Sequence, residues 1–160
     1  MRTTSTYLNS RELAFAIALF LLSFASQAQT WNWVATGAGS ASDNGSANCT
    51  DAAGNIIAAG DFNSNPLQMG TVTLNNSGGS DGFVAKYNAN GVLQWAQRIG
   101  GTNNESVTDV SCDANGNIYV LGYFSSPFLT VAPLTTIANY TNNLTYDMFV
   151  VCYNPSGVAL

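Results

Sequence analysis

Two copies of one pattern follow each other along this chain. A shift of 62 residues places Trp33 on Trp95 and most of residues 51–56 on residues 113–118. A shift of 66 residues aligns 81–92 with 147–158, because four extra residues lie between Pro127 and Tyr146. Sequence repeats of this period are typical of folds that stack one small structural unit on the next. The repeat therefore constrains the fold more strongly than any other feature.

Each copy contains short segments rich in aromatic and β-branched residues, separated by Asn, Asp and Gly at the predicted reversals. The predicted strands of the best-defined stretch are residues 82–87, 92–99, 107–112 and 117–124. No apolar period of 3.6 residues occurs after residue 28. The pattern predicts an all-β chain with about four antiparallel strands in each unit.

The faces of these strands indicate how the units pack. Residues 118–124 are apolar on both faces, whereas a strand with one face in water alternates apolar and polar residues. Sheets that are apolar on both sides need a neighbour on both sides. Radial stacking gives a β-propeller and linear stacking gives a solenoid, and a four-stranded unit favours the propeller. We expect a partial β-propeller of about two blades across residues 29–160, continued by further blades of a longer polypeptide.

The motif that carries a family resemblance is Asp-x-Phe-Val-Ala-Lys-Tyr-Asn-x-x-Gly-x-Leu-x-Trp over residues 81–95, with Gly100-Gly101 and residues 113–122 after it. This motif resembles the bacterial β-propeller repeat often labelled seven-bladed (SBBP type). Residues 73–88 are similar to a variant found in large exported surface proteins of outer-membrane bacteria. The resemblance covers 31–160 as about two repeats. It implies a propeller fold and a place at the cell surface.

The first 28 residues have the three-part pattern of a secretory signal peptide. Arg2 and Arg11 are basic, residues 13–24 are almost entirely apolar, and small side chains precede a cleavage point after Ala28. The alternative is a membrane anchor, but the apolar run is well short of the roughly 20 residues that a spanning helix needs. We predict a signal-peptide helix that is cleaved on export. The mature chain is then secreted or attached to the cell surface, with no transmembrane segment.

Composition excludes several functions. The chain carries a net charge of −5 and contains no histidine. Nucleic-acid binding needs clustered Lys and Arg, but Lys86 and Arg98 are the only cations after residue 28. Without histidine, the Ser-His-Asp and Cys-His forms of nucleophilic catalysis are excluded. We predict no catalytic residue and no cofactor in this chain.

One segment resembles a calcium-binding loop, but the match is weak. Asp113, Asn115 and Asn117 alternate oxygen donors as a calcium loop does, but the glycine lies one residue early and no bidentate glutamate follows. A tight turn explains this segment, and we predict no metal site.

Export permits disulfides between the three cysteines, at 49, 112 and 152. The interpretation we favour is three unpaired, buried side chains.

Unit-specific function is expected where the two copies differ. The ionisable residues that break the repeat are Asp61, Lys86, Arg98 and Asp109, whose counterparts are Tyr123, Cys152, Thr36 and Ala47. Trp31 has Leu93 as its counterpart and is a further candidate binding contact. The alternative, which we favour for the four charged residues, is that they are solvated charges at the rim of the fold.

These observations predict an exported surface module that binds or scaffolds a protein or a glycan, with no catalysis in this chain. The alternative is that these residues form the propeller portion of a larger secreted hydrolase, with its catalytic groups outside them. The residues do not identify the ligand.

Overall fold

A computed structural model describes residues 32–131, 135–140 and 145–160 of the chain. The predicted signal peptide, residues 1–28, and the candidate Trp31 lie outside these ranges. The described residues form twelve strands: β1 (Gly37–Ala38), β2 (Asp43–Thr50), β3 (Ile56–Phe62), β4 (Leu67–Met69), β5 (Val72–Leu74), β6 (Asp81–Tyr87), β7 (Leu93–Gly100), β8 (Glu105–Cys112), β9 (Ile118–Phe124), β10 (Phe128–Val131), β11 (Thr135–Ala138) and β12 (Asp147–Tyr153).

The strands form three antiparallel sheets, which confirms the all-β prediction for the described part of the chain. The first sheet has the order β11-β10-β7-β6-β3-β2, the second β12-β9-β8, and a small sheet β1-β4-β5. The first unit has the expected four strands, namely β2, β3, β6 and β7. The second unit has three, and a single bridge from Tyr153 to Ala159 stands in the place of the fourth strand.

The repeat is visible in the strand register. A bulge between Gly45 and Ala47 on β2 recurs between Val107 and Asp109 on β8. The β4–β5 hairpin recurs as β10–β11. Neither hairpin was predicted from the sequence, because strands of three or four residues are too short to show an alternation of apolar and polar side chains.

The first and second sheets pack face to face around a shared apolar core. Ile57 and Val84 of the first sheet and Val107 and Val120 of the second are all fully buried in it. The approach is close at Gly82, where a Cβ atom would lie 3.1 Å from a methyl carbon of Val107. Burial of this apolar surface is the main force that holds the two units together.

Both faces of each sheet were expected to be buried, but only the first sheet has apolar packing on both faces. On the other face of the first sheet, Phe83 and Tyr87 pack with Leu67 and Met69 of the β4–β5 hairpin, and every residue of β6 is buried. On the far face of the second sheet, Leu121 and other apolar side chains are exposed.

The cysteines correct the interpretation favoured from the sequence. Cys49 on β2 and Cys112 on β8 form a disulfide across the two sheets, and only Cys152 is a free thiol. The repeat gave no sign of this pairing, because the counterpart of Cys49 is Ser111 and the counterpart of Cys112 is Thr50. The two thiols meet only when the sheets stack.

In each unit, a tryptophan that precedes the unit in sequence lies against one of its turns. Trp95 packs on Tyr153 and donates its indole N–H to the carbonyl of Pro155 at 3.2 Å. Trp33 repeats the arrangement with Tyr87 and the carbonyl of Ala89 at 3.1 Å. Because Trp95 lies on β7 of the first unit, its contact joins the first unit to the second.

Substituting the glycine beneath Trp95 is expected to destabilise the fold. Gly157 has φ +80°, and an added Cβ would lie 2.6 Å from the indole ring. We expect Gly157→Ala to cost about 2–3 kcal/mol in the free energy of unfolding, measured by urea denaturation. Gly54→Ala is the matched control, since Gly54 has φ +79° but an added Cβ would make only an ordinary contact, 3.9 Å from the Cβ of Ala89, and it should cost about 1 kcal/mol. Equal losses would show that the ring contact is loose.

Two further observations apply to the described residues. Within them, no helix is long and apolar enough to span a bilayer. In the same residues, no three cysteine, aspartate or glutamate side chains are grouped so that they could bind a metal ion.

Candidate functional site

Loops at one end of the two stacked sheets border an open, shallow cleft of about 450 Å³, called the rim cleft below. Its lining residues come from the β5–β6, β7–β8 and β9–β10 loops and from the segment before β12: Gly79, Thr102, Asn103, Asn104, Ser125, Thr145 and Tyr146. None of these residues is charged. The lining offers hydroxyl groups, amides and one tyrosine ring, which suits a ligand rich in polar groups.

Some polar groups of the rim cleft are hydrogen-bonded to the protein, and others are free to bind a ligand. Asn103 donates its amide to the carbonyl of Ser125 at 3.1 Å, and Asn104 accepts from the backbone N–H of Ser80 at 3.2 Å. Among the described residues, no hydrogen bond uses the Asn103 side-chain carbonyl or the Asn104 amide nitrogen. The ring of Tyr146 is 58% exposed and stands edge-on to Tyr123.

A buried glutamate fixes the loops beneath the cleft. Glu105 is 1% exposed and accepts hydrogen bonds from the backbone N–H of Gly101 at 2.6 Å and the hydroxyl of Ser126 at 2.5 Å. Asp43 and Ser64 form the equivalent pair in the first unit at 2.7 Å. The carboxylate thereby joins the β7–β8 loop to the β9–β10 loop, which sets the width of the cleft.

A second buried carboxylate supports the β5–β6 loop. Asp81 is fully buried and forms an ion pair with Arg98 at 2.5 Å. The same carboxylate oxygen accepts the backbone N–H of Ser77 at 2.9 Å. The pKa of the Glu105 carboxyl is raised by burial and by the nearby negative charge of Asp81, although the hydrogen bonds from Ser126 and Gly101 oppose this rise.

Comparison with known proteins agrees with this architecture. A family model described as "Beta-propeller repeat" (SBBP) matches residues 94–128, which run from β7 through β9 to the first residue of β10. Residues 94–128 are therefore similar to one repeat of this family. The resemblance noted from the sequence motif is confirmed over these residues.

A second similarity covers more of the chain. An uncharacterized WD repeat-containing protein of Acanthamoeba polyphaga mimivirus is 31% identical over 117 residues. The matched region is 66% of this chain but only 8% of that relative's length.

Two of the residues singled out from the sequence lie near the rim cleft as supports. Arg98, within the β-propeller repeat, pairs with Asp81 under the β5–β6 loop. Asp61 accepts a hydrogen bond from the hydroxyl of Ser106 at 3.1 Å, and this contact joins the first sheet to the second. Neither residue lines the cleft, so a direct role of either in binding stays a prediction.

The other two charged candidates lie elsewhere. Asp109 is exposed at the β8 bulge and accepts the N–H of Val110 at 2.8 Å. Lys86 differs from the expected solvated rim charge: it is 5% exposed and forms an ion pair with Asp51 at 2.9 Å. Its ammonium group also lies 3.4 Å from the carbonyl of Pro155 in the second unit. Lys86 is therefore a structural cation between units.

The Asp51 carboxylate organises the β2–β3 turn as well as the ion pair. Its Oδ1 accepts the backbone N–H groups of Ala53 and Asn55, each at 3.0 Å. Desolvation opposes ionisation, but the hydrogen bonds from Asn55 and the pairing with Lys86 prevail, and the pKa of Asp51 is about 2. Asp113 makes the same turn with Asn115 and Asn117, as expected from the sequence, so these oxygens serve the backbone.

The rim-cleft residues themselves were missed by sequence analysis. Asn103, Asn104 and Ser125 are common polar residues in a chain rich in them, and Tyr146 lies in the segment where the two copies differ in length. That difference in length was the one available signal, because loops outside the strict repeat are where repeat proteins place binding residues.

Proposed function

We propose that this chain is an exported, non-catalytic binding module whose rim cleft takes a glycan. The observation that carries this is the uncharged cleft of about 450 Å³, lined by amides, hydroxyls and the exposed ring of Tyr146. Tyrosine offers an apolar face with a polar tip, and Ser and Asn adapt their hydrogen bonds to many polar ligands. A sugar presents the matching combination of hydroxyl groups and C–H faces.

The carboxylates near the cleft support a role in binding without catalysis. A glycosidase needs two carboxyl groups flanking the scissile bond. Glu105 is engaged by Gly101 and Ser126, and Asp81 is paired with Arg98 beneath the loops. These acids hold the cleft in shape and do not line it.

Two features support export. Residues 1–28 have the basic, apolar and small-residue segments of a secretory signal. The disulfide between Cys49 and Cys112 is of the kind that persists in oxidising compartments. We propose that the module works outside the cytoplasm, on the cell surface or as a secreted protein, and that further blades of the same fold extend it.

Loss of the tyrosine ring tests the cleft. In a glycan-array screen of the full chain, followed by titration of the best hit, Tyr146→Ala should weaken binding about tenfold. Tyr140→Ala is the matched control, because Tyr140 is 94% exposed and does not line the cleft. The control should bind as the unchanged protein does.

Other results of the same screen would contradict the proposal. A hit that Tyr146→Ala leaves unchanged would place glycan binding elsewhere. Binding to a protein partner with no glycan hit would change the ligand class. Hydrolysis of a glycan without stable binding would favour the alternative, a propeller portion of a secreted hydrolase.

A further inference from the structure

Two adjacent asparagines of the rim cleft are each bound to the protein through only one end of the side-chain amide. Asn103 donates its amino group to the carbonyl of Ser125 at 3.1 Å. Asn104 accepts the backbone N–H of Ser80 at 3.2 Å through its side-chain carbonyl. These partners fix how each amide is turned, because a carbonyl only accepts and an N–H only donates. The Asn103 carbonyl and the Asn104 amino group are therefore left as one acceptor and one donor in the cleft lining.

The backbone of this pair is held by the neighbouring loops. The N–H of Asn103 donates to the hydroxyl of Ser126 at 2.8 Å, and the carbonyl of Asn103 accepts the N–H of Gly79 at 2.7 Å. The N–H of Asn104 donates to the hydroxyl of Ser125 at 3.2 Å, and its carbonyl accepts the N–H of Ser125 at 2.9 Å. All four backbone groups are thus bonded within the protein. Groups that are fixed before a ligand arrives lose less entropy on binding.

The first unit has a similar loop frame without the two amides. At the positions of the two asparagines it has Ala41 and Ser42. The N–H of Ala41 donates to the hydroxyl of Ser64 at 2.9 Å, as the N–H of Asn103 does to its own serine partner. A frame that forms around alanine and serine does not need two asparagines. A role in binding therefore accounts for the amides better than a role in folding.

An acceptor beside a donor matches a secondary amide group. The acetamido group of an N-acetylated sugar has an N–H for the Asn103 carbonyl and a carbonyl for the Asn104 amino group. Its methyl group is apolar and suits the exposed ring of Tyr146 in the same cleft. A plain sugar hydroxyl offers one oxygen in place of two polar atoms and a methyl group. The lining is therefore more complementary to an acetamido group than to a hydroxyl.

The charges around the cleft favour a neutral sugar. Lys86 and Arg98 are the only cations after the predicted signal peptide. Each is held in an ion pair, with Asp51 and Asp81 respectively. The cleft lining is uncharged, and the Glu105 carboxyl is buried beneath it. An acidic sugar would find no unpaired cation in the described part of the chain, and an unmatched charge weakens binding.

We propose that the rim cleft recognises the acetamido group of a neutral N-acetylated sugar, with Asn103 as the acceptor and Asn104 as the donor. This inference rests on the proposed function, since it specifies which glycans the rim cleft takes. N-acetylglucosamine is a simple sugar that carries this group without a charge. Glucose differs from it only at the acetamido position, so the two sugars form a matched pair of probes.

NMR titration of the full chain with the two sugars tests the proposal. N-acetylglucosamine should bind about tenfold more tightly than glucose, because the acetamido group adds two hydrogen bonds and an apolar contact. Saturation of the aromatic protons should transfer to the acetyl methyl group, which lies on the Tyr146 ring. N-acetylneuraminic acid carries both an acetamido group and a carboxylate, and it should bind more weakly than N-acetylglucosamine.

The variant Asn104→Asp removes the donor and keeps the shape of the side chain. It retains an oxygen for the N–H of Ser80 and replaces the amino group by a second oxygen, which repels the acetamido carbonyl. The tenfold preference for N-acetylglucosamine over glucose should disappear. Asn90→Asp is the matched control, because Asn90 is exposed in the β6–β7 turn and does not line the cleft. This control adds the same charge and should keep the preference.

The outcomes separate this inference from the function on which it rests. Glycan binding that Tyr146→Ala weakens, but that does not distinguish N-acetylglucosamine from glucose, would overturn the inference and leave the proposed function intact. A preference that survives Asn104→Asp would also overturn it. Tighter binding of N-acetylneuraminic acid than of N-acetylglucosamine would contradict a neutral ligand. A chain that binds no glycan would overturn both.

Discussion

Replacing both Cys49 and Cys112 with serine is expected to lower the free energy of unfolding by about 4 kcal/mol. The two residues are 63 apart in sequence, and their disulfide joins the first sheet to the second. Without it the unfolded chain gains the freedom of a long loop. The stacked units then depend on their apolar contact and on the few hydrogen bonds between them. In thermal unfolding followed by circular dichroism, a decrease of about 15 °C in melting temperature should result.

Cys152→Ser is the matched control, since Cys152 is a free thiol. It should leave the melting temperature nearly unchanged. Reduction of the unchanged protein should reproduce the double variant, because both remove the same cross-link. If the double variant and the unchanged protein unfold alike, the two sheets are not joined at these strands.

Substituting Asp51 with asparagine is expected to cost about 3 kcal/mol near neutral pH, because it leaves the buried Lys86 ammonium without its counter-charge. The pair is 2.9 Å apart, with both side chains under a tenth exposed. Asparagine keeps the Oδ1 acceptor of the turn but loses the acceptor of the 2.8 Å hydrogen bond from the Asn55 side-chain amide, so the loss includes that bond as well as the ion pair. The double variant Asp51→Asn with Lys86→Met should regain most of the lost stability.

The stability lost in Asp51→Asn is expected to decrease at low pH. The pKa of Asp51 is lowered from 3.8 to about 2, so its stabilising effect is complete above 3.8 and disappears as the pH falls toward 2. The difference in unfolding free energy between the unchanged chain and Asp51→Asn should shrink over that interval. Asp113→Asn is the control: Asp113 has Cys152 where Asp51 has Lys86, and its loss should be smaller. A constant difference down to pH 2 would contradict the assignment.

The repeat made much of the fold predictable. The glycine turns at Gly54, Gly91, Gly116 and Gly157 all have positive φ, and the long strands fall within two residues of the predicted segments. Local patterning suffices for such elements because turn residues and alternating apolar side chains act over a few positions. The disulfide and the small hairpins were not predictable, since they depend on contacts between distant parts of the chain.

The candidate site was less predictable than the fold. Arg98 and Asp61 could be selected from the sequence because they are charged residues without a charged counterpart in the other copy, and both support the rim cleft. The residues that line the cleft are common polar residues with no distinctive sequence pattern. Lys86 was misplaced because burial of a lysine requires a partner that sequence alone does not reveal, here Asp51. A cleft formed by four loops is a property of the assembled sheets.

Solution NMR tests the stacking of the two units most directly. A nuclear Overhauser effect between the α protons of Gly82 and the methyl groups of Val107 reports the sheet-to-sheet contact, which no pairing within a sheet produces. The account predicts a strong cross-peak, alongside the cross-strand contacts of β6 with β3 and β7. Cross-strand contacts without the Gly82–Val107 cross-peak would show that the two sheets form but do not stack, and would contradict the account.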